Sequence, residues 1–180
     1  MNDQYAGPSH NPMIEGLHSE RSDPQLREKL MLFGQFVGDW DIVECRSLQP
    51  DGTWSVTRGE LHWGWILGGK AVQDVWMTID EKTGKPIPEG TTVRFYDPKI
   101  DGWHSVWISS TQGVVKLFVA HQIGHEIVLE GKTVEGCPLR WVFSDITPNS
   151  FRWHSEESRD NGRTWTLKEE MRIRRRSQQE

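Results

Sequence analysis

From Trp40 onward, apolar and polar residues alternate in short runs separated by turn residues, the period-two signature of strands with two unlike faces. Ten strands are predicted, over about 39–48, 53–66, 70–80, 91–97, 103–110, 114–121, 125–132, 139–146, 151–158 and 163–174. Gln49-Pro50-Asp51-Gly52, Gly68-Gly69, Thr111-Gln112-Gly113 and Asp160-Asn161-Gly162 mark turns, and a Gly/Pro-rich loop fills 81–90. Asn-Gly and Asp-Gly pairs suit hairpins because these residues tolerate positive φ. Upstream, Asp23-Pro24 supplies an N-cap and a first-turn proline, and Leu26, Leu30 and Phe33 follow at helical spacing. A helix of about three turns is predicted, ending near 34–38. Residues 1–22, rich in Ser, Asn, Pro, Gly and His, read as a flexible N-terminal arm, and 23–176 as a single domain.

Connections this short make sequential strands antiparallel neighbours. Ten of them leave two unpaired edges unless the sheet closes on itself. The predicted fold is therefore all-β, an antiparallel up-and-down barrel of about ten strands with a short N-terminal helix. A two-sheet sandwich is the alternative.

The face of each strand that points inward is legible only in the second half of the chain. Over 163–174, Thr166, Lys168, Glu170 and Arg172 form the wet face, so Trp165, Leu167, Glu169, Met171 and Ile173 point in. By the same alternation Trp103, Ser105 and Trp107, then Trp141 and Phe143, then Phe151, Trp153 and Ser155 point in. The phases of 53–66, 70–80 and 91–97 stay open, because each of their faces carries both apolar and polar residues. If Arg94 points inward, it is a buried charge that needs Glu169 or a ligand carboxylate.

Composition sharpens this picture. The chain holds ten tryptophans but only eleven leucines in 180 residues. A large flat ring with an N–H to satisfy suits a pocket wall. An inner face mixing Trp and Phe with Ser105, Ser155 and Glu169 is not a dry core, since buried polar atoms require partners. The alternative is that the rings fill the barrel and the polar groups pair locally. A formal net charge of −5 argues against nucleic acid as a partner, and the basic run Arg172, Arg174, Arg175 and Arg176 reads as a solvated tail. Two cysteines, Cys45 and Cys137, give neither a disulfide framework nor zinc spacing. No membrane span or secretory signal is predicted, so a cytoplasmic location is expected. His121 and His125 flank a tight turn and read as exposed, and no metal site is expected.

Gly38-Asp39-Trp40 places a Gly-x-Trp at the start of the first long strand, just after the helix. A basic residue of the last strand, Arg172 or Arg174, is placed to cover that ring by cation–π contact. This resembles the signature of the calycin superfamily, the lipocalins and their relatives. The phrases Val93-Arg94-Phe95-Tyr96-Asp97 and Glu156 to Trp165 are similar to bacterial lipocalin-like domains of unknown function, and the likeness covers roughly 30–174. The resemblance implies that 23–176 is one calycin-like barrel. The strand count is also similar to that of fatty-acid-binding proteins and nitrobindin-type haem barrels. A haem barrel needs an inward proximal histidine. His154 has the phase opposite to Trp153, which leaves His62 and His104 as the other candidates.

The leading functional reading is a barrel that holds a small hydrophobic or aromatic molecule against Trp76, Trp107, Trp141 and Trp153, with Arg94 and Tyr96 orienting its polar end. The alternative is a cofactor-free enzyme of lyase, isomerase or cyclase type. It would use His62, Asp74 and Glu169 for proton transfer beside the same rings. No cofactor is expected under either reading; a haem-binding barrel is the third.

Overall fold

The structure, a computed structural model, describes residues 11–177. A six-residue helix α1 (Pro12–Leu17) leads into a two-residue strand β1 (His18–Ser19). A 3-10 turn (Pro24–Leu26) precedes helix α2 (Arg27–Gly34). Ten long strands follow: β2 (Gly38–Leu48), β3 (Trp54–Ile66), β4 (Ala71–Ile79), β5 (Pro86–Asp97), β6 (Gly102–Ser109), β7 (Val114–Ile123), β8 (Glu126–Lys132), β9 (Pro138–Ser144), β10 (Ser150–Glu157) and β11 (Thr166–Arg175). Each pairs antiparallel with the next in sequence, and β11 pairs back onto β2, closing an up-and-down barrel. Closure leaves no long edge unpaired, and β1 adds only a short pairing to β3. No helix among the described residues is long and apolar enough to cross a membrane.

Element boundaries differ from the sequence expectation where side chains compete for backbone groups. β11 begins at Thr166 instead of 163, because the Asp160 carboxylate accepts both the backbone N–H and the hydroxyl of Thr164. β5 begins at Pro86, well inside the expected loop, and a bulge at Trp76/Met77 of β4 takes up the register. The expected three-turn helix resolves into the 3-10 turn and the eight-residue α2, with Asp23 capping the backbone N–H of Gln25. Of the expected flexible arm, residues 1–10 lie outside the described residues. Residues 12–19 carry α1 and β1, tied down by Leu67 N–H to the Leu17 carbonyl and by β1 pairing with Trp65 and Ile66.

The inner face divides along the barrel axis. At one end Phe33 of α2 and Phe36 just beyond it are fully buried against inner-face rings. Phe33 lies 5.0 Å from Trp103 and 5.9 Å from Phe143, both edge-on, while Phe36 lies 4.7 Å from Phe151. Burying each of these rings stabilises the fold by about 2–3 kcal/mol. Gly34 makes the approach of α2 possible, since a Cβ there would lie 2.4 Å from the Trp65 ring. Trp40 closes the same end, its ring covered by the Arg175 guanidinium at 4.0 Å. Arg175 also donates to the carbonyls of Gln35, Val37 and Pro148. The expected covers, Arg172 and Arg174, are corrected by phase. Ile173 points in, so Arg175 shares its face and the two arginines beside Ile173 are exposed.

Candidate functional site

The half of the barrel away from α2 holds a cavity of about 80 Å3. Four tryptophans form a chain around its wall. Trp76 lies 6.0 Å from Trp107, Trp107 lies 6.0 Å from Trp141, and Trp141 lies 5.2 Å from Trp153. Successive rings are tilted or edge-on, the arrangement favoured by ring quadrupoles. Trp63 and Phe143 line it as well, and Gln112, Lys116 and Met171 reach its less buried rim.

The open strand phases now resolve. In β3 Leu61, Trp63 and Trp65 are buried; in β4 Val72 and Asp74; in β5 Thr92 and Arg94. Asp74 sits opposite Thr92 in the β4–β5 register, so Arg94, two residues on, is its diagonal neighbour on the inner face. The two form a buried ion pair with side chains each 3% exposed. Arg94 is otherwise surrounded by rings, its guanidinium 4.5 Å from Trp63, 5.1 Å from Phe33 and 5.8 Å from Phe143. Its partner is Asp74, where the sequence suggested Glu169 or a ligand carboxylate. Burial pushes the Asp74 carboxyl above its usual range, opposed by Arg94 and by hydrogen bonds from Thr92. Burial likewise lowers Arg94, opposed by Asp74.

A second polar group lies across the cavity. Glu169 Oε1 accepts from Ser47 Oγ at 3.1 Å and from Cys45 Sγ at 3.3 Å. Burial raises the Glu169 carboxyl, opposed by Cys45, Ser47 and the charge of Lys116. Burial lowers the Lys116 ammonium, and its Nζ sits 5.6 Å from the centre of the Trp141 ring. The cavity therefore holds two positive and two negative side chains. Three lining residues carry a fully buried N–H with no acceptor among the described residues: Arg94 Nε, Trp63 Nε1 and Trp141 Nε1.

Seven of the proposed site residues share this cavity: Trp76, Trp107, Trp141, Trp153, Arg94, Asp74 and Glu169. Two do not. His62 has the outward phase of β3, its Nδ1 2.6 Å from Asp39 and its Nε2 3.1 Å from Glu60, so it is unplaced for proton transfer inside the barrel. Tyr96 shares the face of Arg94 but lies further toward α2, where its hydroxyl donates to Asp101 at 2.6 Å. The other haem candidate, His104, lies on the outer face beside Asp97 and Phe95, and no described histidine lines the cavity. Thr92, Gln112, Lys116, Phe143, Phe151 and Met171 belong to the lining beyond those proposed. The phase already assigned to Phe143, Phe151 and Met171 was the available signal. Lys116 gave a misleading one, because its strand turns Val115 and Leu117 to solvent and the lysine inward.

No family profile and no curated protein sequence matches the chain. Solved structures do. The S-type phycobiliprotein lyase CPES from Guillardia theta superimposes with a TM-score of 0.55 at 14% identity, over 96% of this chain and 100% of that one. Rv2717c from M. tuberculosis superimposes with a TM-score of 0.57 at 13% identity, over 87% of this chain and 99% of that one. The likeness is one of fold, that of a closed antiparallel up-and-down barrel. At these identities the likeness carries the fold alone, and the site must be argued from its own residues.

Proposed function

We propose that this barrel binds a small hydrophobic or aromatic molecule in the cavity walled by Trp76, Trp107, Trp141 and Trp153. The observation that carries the reading is the continuous chain of four tryptophan rings around open space. A concave, mostly apolar site with a few convergent polar groups is the usual form of a small-molecule pocket. An apolar cavity of about 150 Å3 takes benzene. At about 80 Å3 this one encloses only part of such a ring, and the rest of the molecule lies at the rim, beside Gln112, Lys116 and Met171. The test is titration of tryptophan fluorescence, with thermal shift in parallel, using a panel of single-ring aromatics. Saturable quenching and a raised Tm are expected; a flat response to the whole panel refutes the reading.

A second reading, proton-transfer catalysis of lyase or isomerase type, is favoured by one observation. Glu169 is a carboxyl in the cavity wall that burial raises toward neutrality. The fold shared with a phycobiliprotein lyase is compatible with either reading. Glu169→Gln separates them. Binding alone predicts nearly unchanged affinity and no chemistry with the wild type. Catalysis predicts solvent-deuterium exchange at an acidic C–H of a bound ligand, lost in the variant.

A further inference from the structure

Lys116 constrains the polar end of the ligand. It stands on β7 directly across from Trp107 of β6, and its Nζ lies 5.6 Å from the centre of the Trp141 ring, so two of the four wall rings flank it. Its sequence neighbours Val115 and Leu117 are both exposed. β7 thus turns its apolar residues to solvent and its lysine to the cavity, the reverse of the alternation that solubility and packing favour. The ammonium makes no hydrogen bond and no ion pair among the described residues. Glu169 and Glu157 act on it only at a distance, and burial lowers it. A half-buried ammonium without a contact partner carries a desolvation cost that an arriving anion offsets. The other charges on the cavity are committed. Arg94 is neutralised by Asp74 within a buried ion pair, and Glu169 Oε1 has its donors in Ser47 and Cys45. Gln112, in the turn before β7, reaches the same rim, and its side-chain amide has no partner among the described residues.

Resting on the reading that the cavity binds a small aromatic molecule, we propose that the ligand is an aromatic carboxylate, its ring against Trp107 and Trp141 and its anionic head at the rim on Lys116, with the Gln112 amide as a second donor. A carboxylate accepts at both oxygens and needs no donor of its own, which suits an ammonium and an amide N–H. A neutral head leaves the ammonium without a counter-charge, and a cationic head is repelled by it. The ring partly enclosed by the tryptophans and the part left at the rim are then the apolar and charged ends of one molecule. Lys116 becomes the specificity-determining residue, in place of the Arg94 and Tyr96 combination suggested by the sequence. Arg94 is sealed in its pair with Asp74, and Tyr96 donates to Asp101 toward α2.

The experiment compares benzoate, benzamide and benzamidinium, planar probes of nearly equal shape that carry a negative, a neutral and a positive head. Calorimetry on the full chain at pH 7 and low salt reads their affinities. Lys116→Met, which keeps the stem and removes the ammonium, and Lys116→Arg, which keeps the charge, are measured alongside. Benzoate is expected to bind about tenfold tighter than benzamide, the effect of a hydrogen bond to a charged donor, and benzamidinium should be weakest. Lys116→Met should lower benzoate affinity about tenfold and leave benzamide within about twofold, which also shows that the variant is folded. Lys116→Arg should retain most of the benzoate affinity. Because Lys116 is half-exposed, about 1 M salt should shrink the advantage of benzoate over benzamide. Benzamide binding as tightly as benzoate, or a benzoate preference that survives Lys116→Met, overturns the assignment while sustaining the aromatic cavity. Benzamidinium binding tightest overturns it in favour of a cation held by Glu169. Binding of none overturns the cavity reading, and this one with it.

Discussion

Asp74→Ala tests the inner polar pair most directly. The substitution leaves the Arg94 guanidinium in a chamber lined by Trp63, Phe33 and Phe143, with no second carboxylate among its ring neighbours. Arginine does not shed its proton at accessible pH, so the charge stays. Breaking a buried pair by removing one partner costs about 3–5 kcal/mol. A domain of this size unfolds with about 5–15 kcal/mol in total, so the variant should lose a large fraction of its stability. At about 2–4 °C per kcal/mol, Tm should fall by roughly 6–20 °C. The double variant Asp74→Leu with Arg94→Met should recover most of that loss. Burial holds the Asp74 carboxyl above its usual range even with Arg94 beside it. The sign follows: the folded state binds this proton more tightly than the unfolded chain, so stability from this group declines as pH rises from the unfolded value through the folded one. The ionised pair thus costs more solvation than it regains, and an apolar pair avoids that cost. Urea denaturation of the three proteins at pH 7 gives the comparison. A loss below about 1 kcal/mol for Asp74→Ala, or a double variant no more stable than the single, refutes the account.

Three further outcomes follow from local geometry. Asp160 accepts hydrogen bonds from Ser158 and Thr164 that hold its carboxyl down to about 2, from an ordinary 3.8. Its stabilising contribution is present above 3.8 and lost as pH falls through about 2; an NMR titration midpoint near 4 would contradict this. Burial, with Glu169 beside it, pushes the Cys45 thiol up to about 12, so a thiol reagent at pH 8 should modify the half-buried Cys137 quickly and Cys45 only in denaturant. Equal rates would be the contrary result. Gly90→Ala would set a Cβ 2.3 Å from the Trp107 ring, so a cost of about 1–3 kcal/mol and an altered near-UV CD spectrum are expected. An unchanged spectrum would show that the ring is not held there.

The strand count and the closed barrel were legible because turn residues punctuate the chain and sequential antiparallel pairing follows from short connections. The second-half phases were legible because β11 has one plainly polar face, except at Trp165 and Leu167: a bulge at Ser155/Glu156 turns Leu167 outward beside Glu156, and Trp165 lies under the outward Arg140. β4 and β5 defeated the same logic. Their outer faces carry Val75, Met77, Val93 and Phe95, while their inner faces carry Asp74 and Arg94. Alternation reports burial only when the buried face is apolar, and a buried ion pair inverts the pattern. β7 is inverted for a related reason, with Leu117 65% exposed and Phe118 3% exposed one position on. His62 was ambiguous because nothing local shows that Asp39, 23 residues earlier, lies opposite it across β2 and β3. Cross-strand partners are set by register, which the linear pattern does not contain.

The tryptophans separate by the state of their N–H groups. Trp40 Nε1 donates to the Phe36 carbonyl at 2.6 Å within the packed end, whereas Trp63 and Trp141 Nε1 are buried beside the cavity without an acceptor. Trp54 and Trp165 belong to neither set and lie under Arg46 and Arg140, at 5.0 and 3.5 Å. The N–H of Trp40 is satisfied by the fold; those of Trp63 and Trp141 are not. Replacing Trp by Phe removes the same part of the ring at each position, so differences between positions isolate the N–H. Trp40→Phe strands a buried carbonyl and should cost about 1–3 kcal/mol more than Trp141→Phe, which removes an orphaned donor and lies against space that can relax. Trp141→Phe should instead lower ligand affinity while leaving the denaturation midpoint nearly unchanged. Equal losses of stability at the two positions would show that the cavity wall is ordinary core, and that the rings around it are there for packing alone.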